Sequence, residues 1–158
     1  MVPVENTRGI SSFVDYGCEP ATFKAALLAV KELPHKRIIH MFGSTGGHRD
    51  KQKRFIFGET SGKYADYIIV TNDDIYDSDP GEIASNIRKG ISNTQFPISN
   101  VETILDRREA IHHALKIAQA GDIVLITGKG SEQFLSLPGN EKIIWDEVAV
   151  VKDELNKI

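Results

Sequence analysis

The residues able to do chemistry gather where glycine and charge meet. In the run from Arg37 to Arg54, RIIHMFGSTGGHRDKQKR, an apolar stretch breaks into Gly43, Gly46 and Gly47 and then into His48, Arg49, Asp50, Lys51, Lys53 and Arg54. Glycine takes backbone angles that other residues resist. A strand ending in such a turn presents free N–H groups and cationic side chains at the carboxyl edge of a sheet, where open α/β folds hold ligands. The ligand expected there is an anion, although a plain strand-to-helix turn with a solvated charged face would show the same pattern. A second glycine turn, Gly128-Lys129-Gly130-Ser131-Glu132, joins a lysine able to hold an anion to a carboxylate able to accept a substrate ammonium. Its bland reading is a loop with Glu132 in solvent.

Other chemistry is excluded or weakly supported. A P-loop needs G-x-x-x-x-G-K-[ST] so that backbone N–H groups, lysine and hydroxyl together manage phosphate and magnesium. Gly58-Glu-Thr-Ser-Gly62-Lys63-Tyr64 has the wrong interval and no final hydroxyl, and G-x-G-x-x-G is absent after the first strand. Any nucleotide site is therefore partial. His112 and His113 are adjacent and splay around a helix instead of converging on a metal. Asp73, Asp74, Asp77 and Asp79 lack the spacing of a calcium loop and suit turns and helix caps. Cys18 has no evident base partner and reads as an inert thiol; being the single cysteine, it allows no internal disulfide, which suits a reducing cytosol.

The elements that must carry these residues alternate. Strands are expected at Ser12 to Tyr16, Ile38 to Phe42, Tyr67 to Thr71 and Ile123 to Thr127, the last apolar enough to be buried on both faces. Helices are expected from Ala21 to Leu33, Pro80 to Gly90, from Asp106 onward, and Glu147 to Leu155. Phe55 to Tyr64 reads as irregular or a short helix, because Gly58 and Gly62 weaken it. Ile98 to Glu102 is an edge strand or an extended connection, Glu141 to Ile144 is short and apolar at its end, and Trp145 covers the core. Strands alternating with helices give an α/β, Rossmann-like, mostly parallel sheet with helices on both faces. In that fold the loops after the four strands share one edge, bringing Asp15, His48, Arg49, Asp74, Tyr76 and Glu132 within reach of one ligand.

The 158 residues suit one domain with a sizeable core, and a net charge of -3 gives no global attraction for nucleic acid or an acidic membrane. With no apolar run of roughly 20 residues and no signal-peptide core, a cytoplasmic location is expected. Residues 1–11 read as a linker or the start of an excised domain, with the domain proper at 12–158.

Five motifs in one order carry a resemblance: Asp15-Tyr16-Gly17-Cys18-Glu19-Pro20, FGSTGGHRDKQKR from Phe42, NDDIYDSDP from Asn72, DRREAI from Asp106 and GKGSE from Gly128. From about Ser12 onward the chain resembles the C-terminal domain of Mur ligases, with the UDP-N-acetylmuramyl-tripeptide synthetase branch nearest in pattern. The resemblance implies an ATP-dependent amide ligase of three domains that activates a carboxylate as an acyl phosphate for attack by an amino group. It implies that Asp15 contacts the nucleotide ribose, that Tyr16 helps hold that region, and that Lys51 lies in the phosphate field. Arg49 would meet the carboxylate of the incoming amino acid, while Gly128 and Glu132 would meet its side chain or far ammonium. Asp74 and Tyr76 would help select it. Members adding diaminopimelate carry Asn-Pro-Arg where this chain has Asp74-Ile75-Tyr76, so a diamino or neutral amino acid, lysine among them, fits better. Cys18 and Ser131 each stand where histidine is usual. ATP and Mg2+ would be held mostly by a central ATPase domain in cis, and the UDP-muramyl-peptide by the first domain, leaving this chain inactive alone and monomeric. The other reading is a free-standing, non-catalytic α/β module that binds a nucleotide or amino acid.

Overall fold

A computed structural model describes the backbone of residues 1–158 and every side chain except that of Asn140. The main strands are β1 (Val2–Val4), β2 (Ser11–Asp15), β3 (Ile38–Phe42), β4 (Tyr67–Val70), β5 (Val101–Thr103) and β6 (Ile123–Thr127), in the spatial order β1-β2-β6-β3-β4-β5. All neighbours are parallel except β1, which runs antiparallel to β2. The helices are α1 (Pro20–Lys31), α2 (Gln52–Tyr64), α3 (Pro80–Ser92), α4 (Arg107–Ile117) and α5 (Glu147–Leu155), and β7 (Phe134–Ser136) pairs with β8 (Lys142–Ile144) in a small antiparallel hairpin. The expected α/β sheet with helices on both faces is the observed fold.

Both faces are sealed by apolar side chains. Phe23, Leu27, Phe57, Ile83 and Ile87 of α1, α2 and α3 cover one face, and Ile111, Leu115, Val150 and Val151 of α4 and α5 cover the other. Every residue of β3 and β6 is buried, as central parallel strands require. Local chemistry sets the helix starts. Asp79, Asp106 and Asp146 accept hydrogen bonds from Gly81, Glu109 and Ala149 N–H groups, and Pro20 and Pro80 open α1 and α3. His40, fully buried in β3, shares its ring nitrogens with Ser61 Oγ at 2.9 Å and Thr127 Oγ1 at 3.1 Å. Burial pushes its pKa down to about 3, so it stays neutral and ties α2, β3 and β6 together.

The structure corrects one expectation and decides between the alternatives of two others. The stretch before Ser12, read as a linker, contains β1, which extends the sheet beyond β2. The stretch from Ile98 begins as a 3-10 turn, Ile98–Asn100, and only then becomes the edge strand β5. The stretch expected to be irregular or a short helix is the 13-residue α2. Its glycines weaken helix propensity but let α2 press onto α3. A Cβ added at Gly58 would run into the carbonyl oxygen of Ile87, and one at Gly90 into that of Phe55. Tertiary contact thus outweighs propensity.

The topology fixes where a ligand can sit. β3 leads into α2 on one face, whereas the chain after β6 reaches α5 on the other. The carboxyl ends of these neighbouring strands therefore bound a crevice.

Gly58→Ala and Gly90→Ala should each destabilise the chain by about 2 kcal/mol, because backbone must move, although alanine gains about 1 kcal/mol over glycine in an open helix. Urea unfolding at equilibrium measures the difference, and a variant more stable than the parent would contradict the tight α2–α3 contact.

Candidate functional site

Glycines let four loops meet at the carboxyl edge. A Cβ at Gly43 would lie 2.5 Å from Thr71 O, so the loops after β3 and β4 run against each other. Gly46 N–H donates to Asp74 O at 2.7 Å, and Gly47 N–H to Ser78 Oγ at 2.8 Å. Tyr76 packs over Gly47 with φ 47, a left-handed conformation that costs a bulky residue energy. After β6, Gly128 has φ +119 and faces Asp73 Oδ2, while Gly130 has φ +51 and lies against the Tyr16 backbone. Only glycine fits at these two places.

The loops enclose a cleft of about 160 Å³. Of the residues expected to bind ligand, Tyr16, Arg49, Asp74, Tyr76, Gly128 and Glu132 line it. Two do not. Asp15 closes β2 with its carboxylate on Gly17 N–H at 2.8 Å, and it opens onto an adjoining groove shared with Tyr16 and Glu132. Lys51 pairs with Glu82 at 2.9 Å and is not in the lining. His48 is also outside it. The basic run therefore splits: Arg49 and Lys53 reach the cleft, Lys51 stays in solvent, and Arg54 is buried beside Glu82 at 3.5 Å.

Lys129 overturns a sequence expectation. Instead of presenting a charge to an anion, its ammonium is enclosed, 2.8 Å from Asp74 Oδ1, 2.5 Å from Glu132 Oε2 and 3.9 Å from Asp73 Oδ1. Burial alone would lower its pKa, but the hydrogen bonds it donates to Asp74 and Glu132 raise it, so it is charged. Asp74 Oδ1 also accepts Ser136 N–H at 2.7 Å, which joins the β7–β8 hairpin to the site. Tyr16 Oη donates to Glu132 Oε1 at 3.4 Å, and the neighbouring Cys18, with Glu132, pushes the phenol pKa up to about 12.

A second buried pair braces the floor. Arg107 binds both Glu147 oxygens, the shortest contact being 2.6 Å, and donates to the carbonyls of Asn72 at 2.8 Å and Thr127 at 3.0 Å. Burial alone would lower the Arg107 pKa, but Glu147, with Asp73 and Asp74, raises it above the ordinary value. One guanidinium thus fixes the ends of β4 and β6 and the start of α5. Trp145, buried as expected, donates its indole N–H to the same Glu147.

Sequence reasoning missed Asp73, Lys53 and Glu19. Asp73 is buried on the cleft wall, and its pKa is raised by burial against the pull of Arg107 and Lys129. Lys53 pairs with Glu19 at the mouth. The four-residue spacing of Lys53 and Phe57 would have put both on one helix face had α2 been recognised.

The cleft carries Glu19, Asp50, Asp73, Asp74 and Glu132 against Arg49 and Lys53. Its chemistry suits a zwitterion, carboxylate toward Arg49 and ammonium toward Glu132. Among the described residues no group of three or more His, Cys, Asp or Glu is arranged to hold a metal.

Residues 1–130 match the family described as Mur ligase, glutamate ligase domain. The chain belongs to the Mur ligase family. It is 41% identical over 153 residues to the UDP-N-acetylmuramoyl-L-alanyl-D-glutamate--2,6-diaminopimelate ligase of Caldanaerobacter subterraneus subsp. tengcongensis, covering 97% of this chain and 31% of that protein. To the ligase of the same name from Alkaliphilus oremlandii it is 38% identical over 154 residues, covering 98% and 31%. The chain thus spans about three tenths of the length of these curated relatives. A solved structure of a ligase of that name superposes with a TM-score of 0.89 at 29% identity, over 99% of this chain and 31% of the other. Mycobacterium tuberculosis folylpolyglutamate synthase shares the fold, with a TM-score of 0.55 at 17% identity over 75% of this chain and 27% of that one. No helix of this Mur ligase domain is long and apolar enough to cross a membrane.

Tyr76→Asn should raise stability by up to about 1 kcal/mol, since asparagine tolerates positive φ. Thermal unfolding checks it, and a clear loss would mean that ring packing on Gly47 outweighs the strain.

Proposed function

We propose that this chain is the amino-acid-recognising part of an ATP-dependent amide ligase that extends a UDP-muramyl-peptide, and that it contributes an edge of the ATP site. The observation that carries the reading is the meeting of Arg49 with Asp74 and Glu132 in one cleft, from loops far apart in sequence. Arg49 holds the α-carboxylate of the incoming amino acid, through the planar fork that suits carboxylates. Glu132 and Asp74 face its far end. Asp15 and Tyr16, in the adjoining groove, face the nucleotide ribose. Lys51 reaches phosphate only by leaving Glu82.

The reaction needs an acyl phosphate on the growing peptide. The amine nitrogen of the amino acid attacks its carbonyl carbon, the carbon–oxygen bond to phosphate breaks, and inorganic phosphate leaves. ATP supplies that phosphate. Its phosphate and magnesium ligands come mostly from a central ATPase domain, as this chain carries no P-loop sequence. This chain's contribution is to orient the amine and, on closing against the ATPase domain, to exclude water that would hydrolyse the acyl phosphate. Alone it is inactive. The complete ligase works as a cytoplasmic monomer.

The printed names of the relatives specify 2,6-diaminopimelate, which has a carboxylate at each end. Here the cleft cations are Arg49 and Lys53, the latter taken by Glu19, and Tyr76 offers no charge. An amino acid whose far end bears an ammonium and no carboxylate fits this lining better.

In the full-length ligase, Arg49→Ala should raise the KM for the amino acid by about 10- to 100-fold, the value of a charged hydrogen bond, and leave the KM for ATP within a few-fold. Amino-acid-dependent ADP release, assayed over a panel of amino acids, measures this. An unchanged KM would overturn the role of Arg49, and no amino-acid-dependent release would overturn the ligase reading.

A further inference from the structure

Three carboxylates, Asp73, Asp74 and Glu132, surround the single ammonium of Lys129, and Arg107 is already neutralised by Glu147. This corner keeps an excess of negative charge in a setting where burial makes isolated charge costly. The acceptor atoms are not used up. Among the described residues the hydrogen bond to the Asp73 carboxylate, from Asp74 N–H, goes to Oδ1 and none goes to Oδ2, and Glu132 Oε1 has only the 3.4 Å contact from the exposed Tyr16 hydroxyl. Asp73 and Asp74 belong to the loop after β4 and Glu132 to the loop after β6, so without a cation between them they repel. Lys129 draws these groups together, although its own side chain is sealed from solvent.

We propose that Lys129 is a positioning residue for specificity, an internal ammonium that converges Asp74 and Glu132, with Asp73 beside them, so that the cleft accepts a second ammonium from the side chain of the amino acid. The proposal rests on the amino-acid reading above. It assigns Lys129 a part in choosing the substrate without touching it. The free Oδ2 of Asp73 and Oε1 of Glu132 receive the incoming charge, which offsets the excess that Lys129 leaves. Removing Lys129 does not simply make the corner a stronger cation trap, because unscreened carboxylates take up protons or, in the case of the partly exposed Glu132, swing into solvent.

The test uses L-lysine and L-norleucine, which share a four-carbon side chain and differ by a terminal ammonium in place of a hydrogen, titrated into the isotope-labelled chain and followed through the amide signals of residues around Asp74 and Glu132. The parent chain should half-saturate with L-lysine at about tenfold lower concentration, the worth of one charged hydrogen bond. Lys129→Met should remove that preference, and Lys129→Arg should keep most of it. A parent chain that binds neither amino acid, or both alike, overturns the ammonium reading and this proposal with it. A parent that prefers L-lysine alongside a folded Lys129→Met that prefers it as strongly overturns the proposal alone. Should Lys129→Met fail to fold, Lys129→Met with Asp74→Asn removes a charge pair together and is compared with Asp74→Asn alone. A further loss of preference in the double variant supports the proposal, and no further loss overturns it.

Discussion

An ammonium without access to water must find its counter-charges inside the protein, or the desolvation cost of several kcal/mol goes unrecovered. Lys129 finds them on Asp74, Glu132 and, at longer range, Asp73. Because these acids lie on two loops, the requirement fixes the end of β6 against the end of β4. Arg107 imposes the same kind of constraint one layer below, where its three nitrogens reach Glu147 and the carbonyls of Asn72 and Thr127. Ordinary apolar layers hold the sheet itself. These two cations hold its functional edge, and the glycines at 43, 128 and 130 allow the backbones to come close enough for them to do so.

Much of the fold is legible in the sequence because burial leaves a periodic trace. The near-continuous apolar run Ile123 to Thr127 reads as an interior strand, and Asp106 before Arg107 and Asp146 before Glu147 mark helix starts by a local hydrogen bond. Short edge elements leave little trace. β1 and β5 have three residues each and exist because a neighbour offers a free edge, and β7 pairs with a strand across a turn. In α2 the signal pointed the wrong way. Gly58 and Gly62 weaken a helix in isolation, yet Gly58 is the residue that lets the helix pack on α3.

The site divides in the same manner. Arg49 and Glu132 could be picked out because they stand at positions of the Mur ligase motifs, while the local pattern of charge beside a glycine turn reads equally well as a solvated face. The role of Lys129 could not, since a lysine in such a turn reads as solvent-facing until the fold surrounds it with acids. Lys51 shows the converse: it shares the basic run with Arg49, but the start of α2 turns it toward Glu82 and away from the cleft. Asp73 was hidden among neighbours that serve as turn formers, and only the approach of Gly128 distinguishes it.

The account makes the cleft directional, with a cationic wall at Arg49 and an acidic corner built around Lys129. A crystal structure of the full-length ligase with L-lysine and ADP tests that direction most directly. The predicted result has the α-carboxylate on the Arg49 guanidinium and the ε-ammonium within hydrogen-bond reach of Glu132, with Lys129 still enclosed. An amino acid bound in the reverse sense, or outside the loops after β3, β4 and β6, would contradict it.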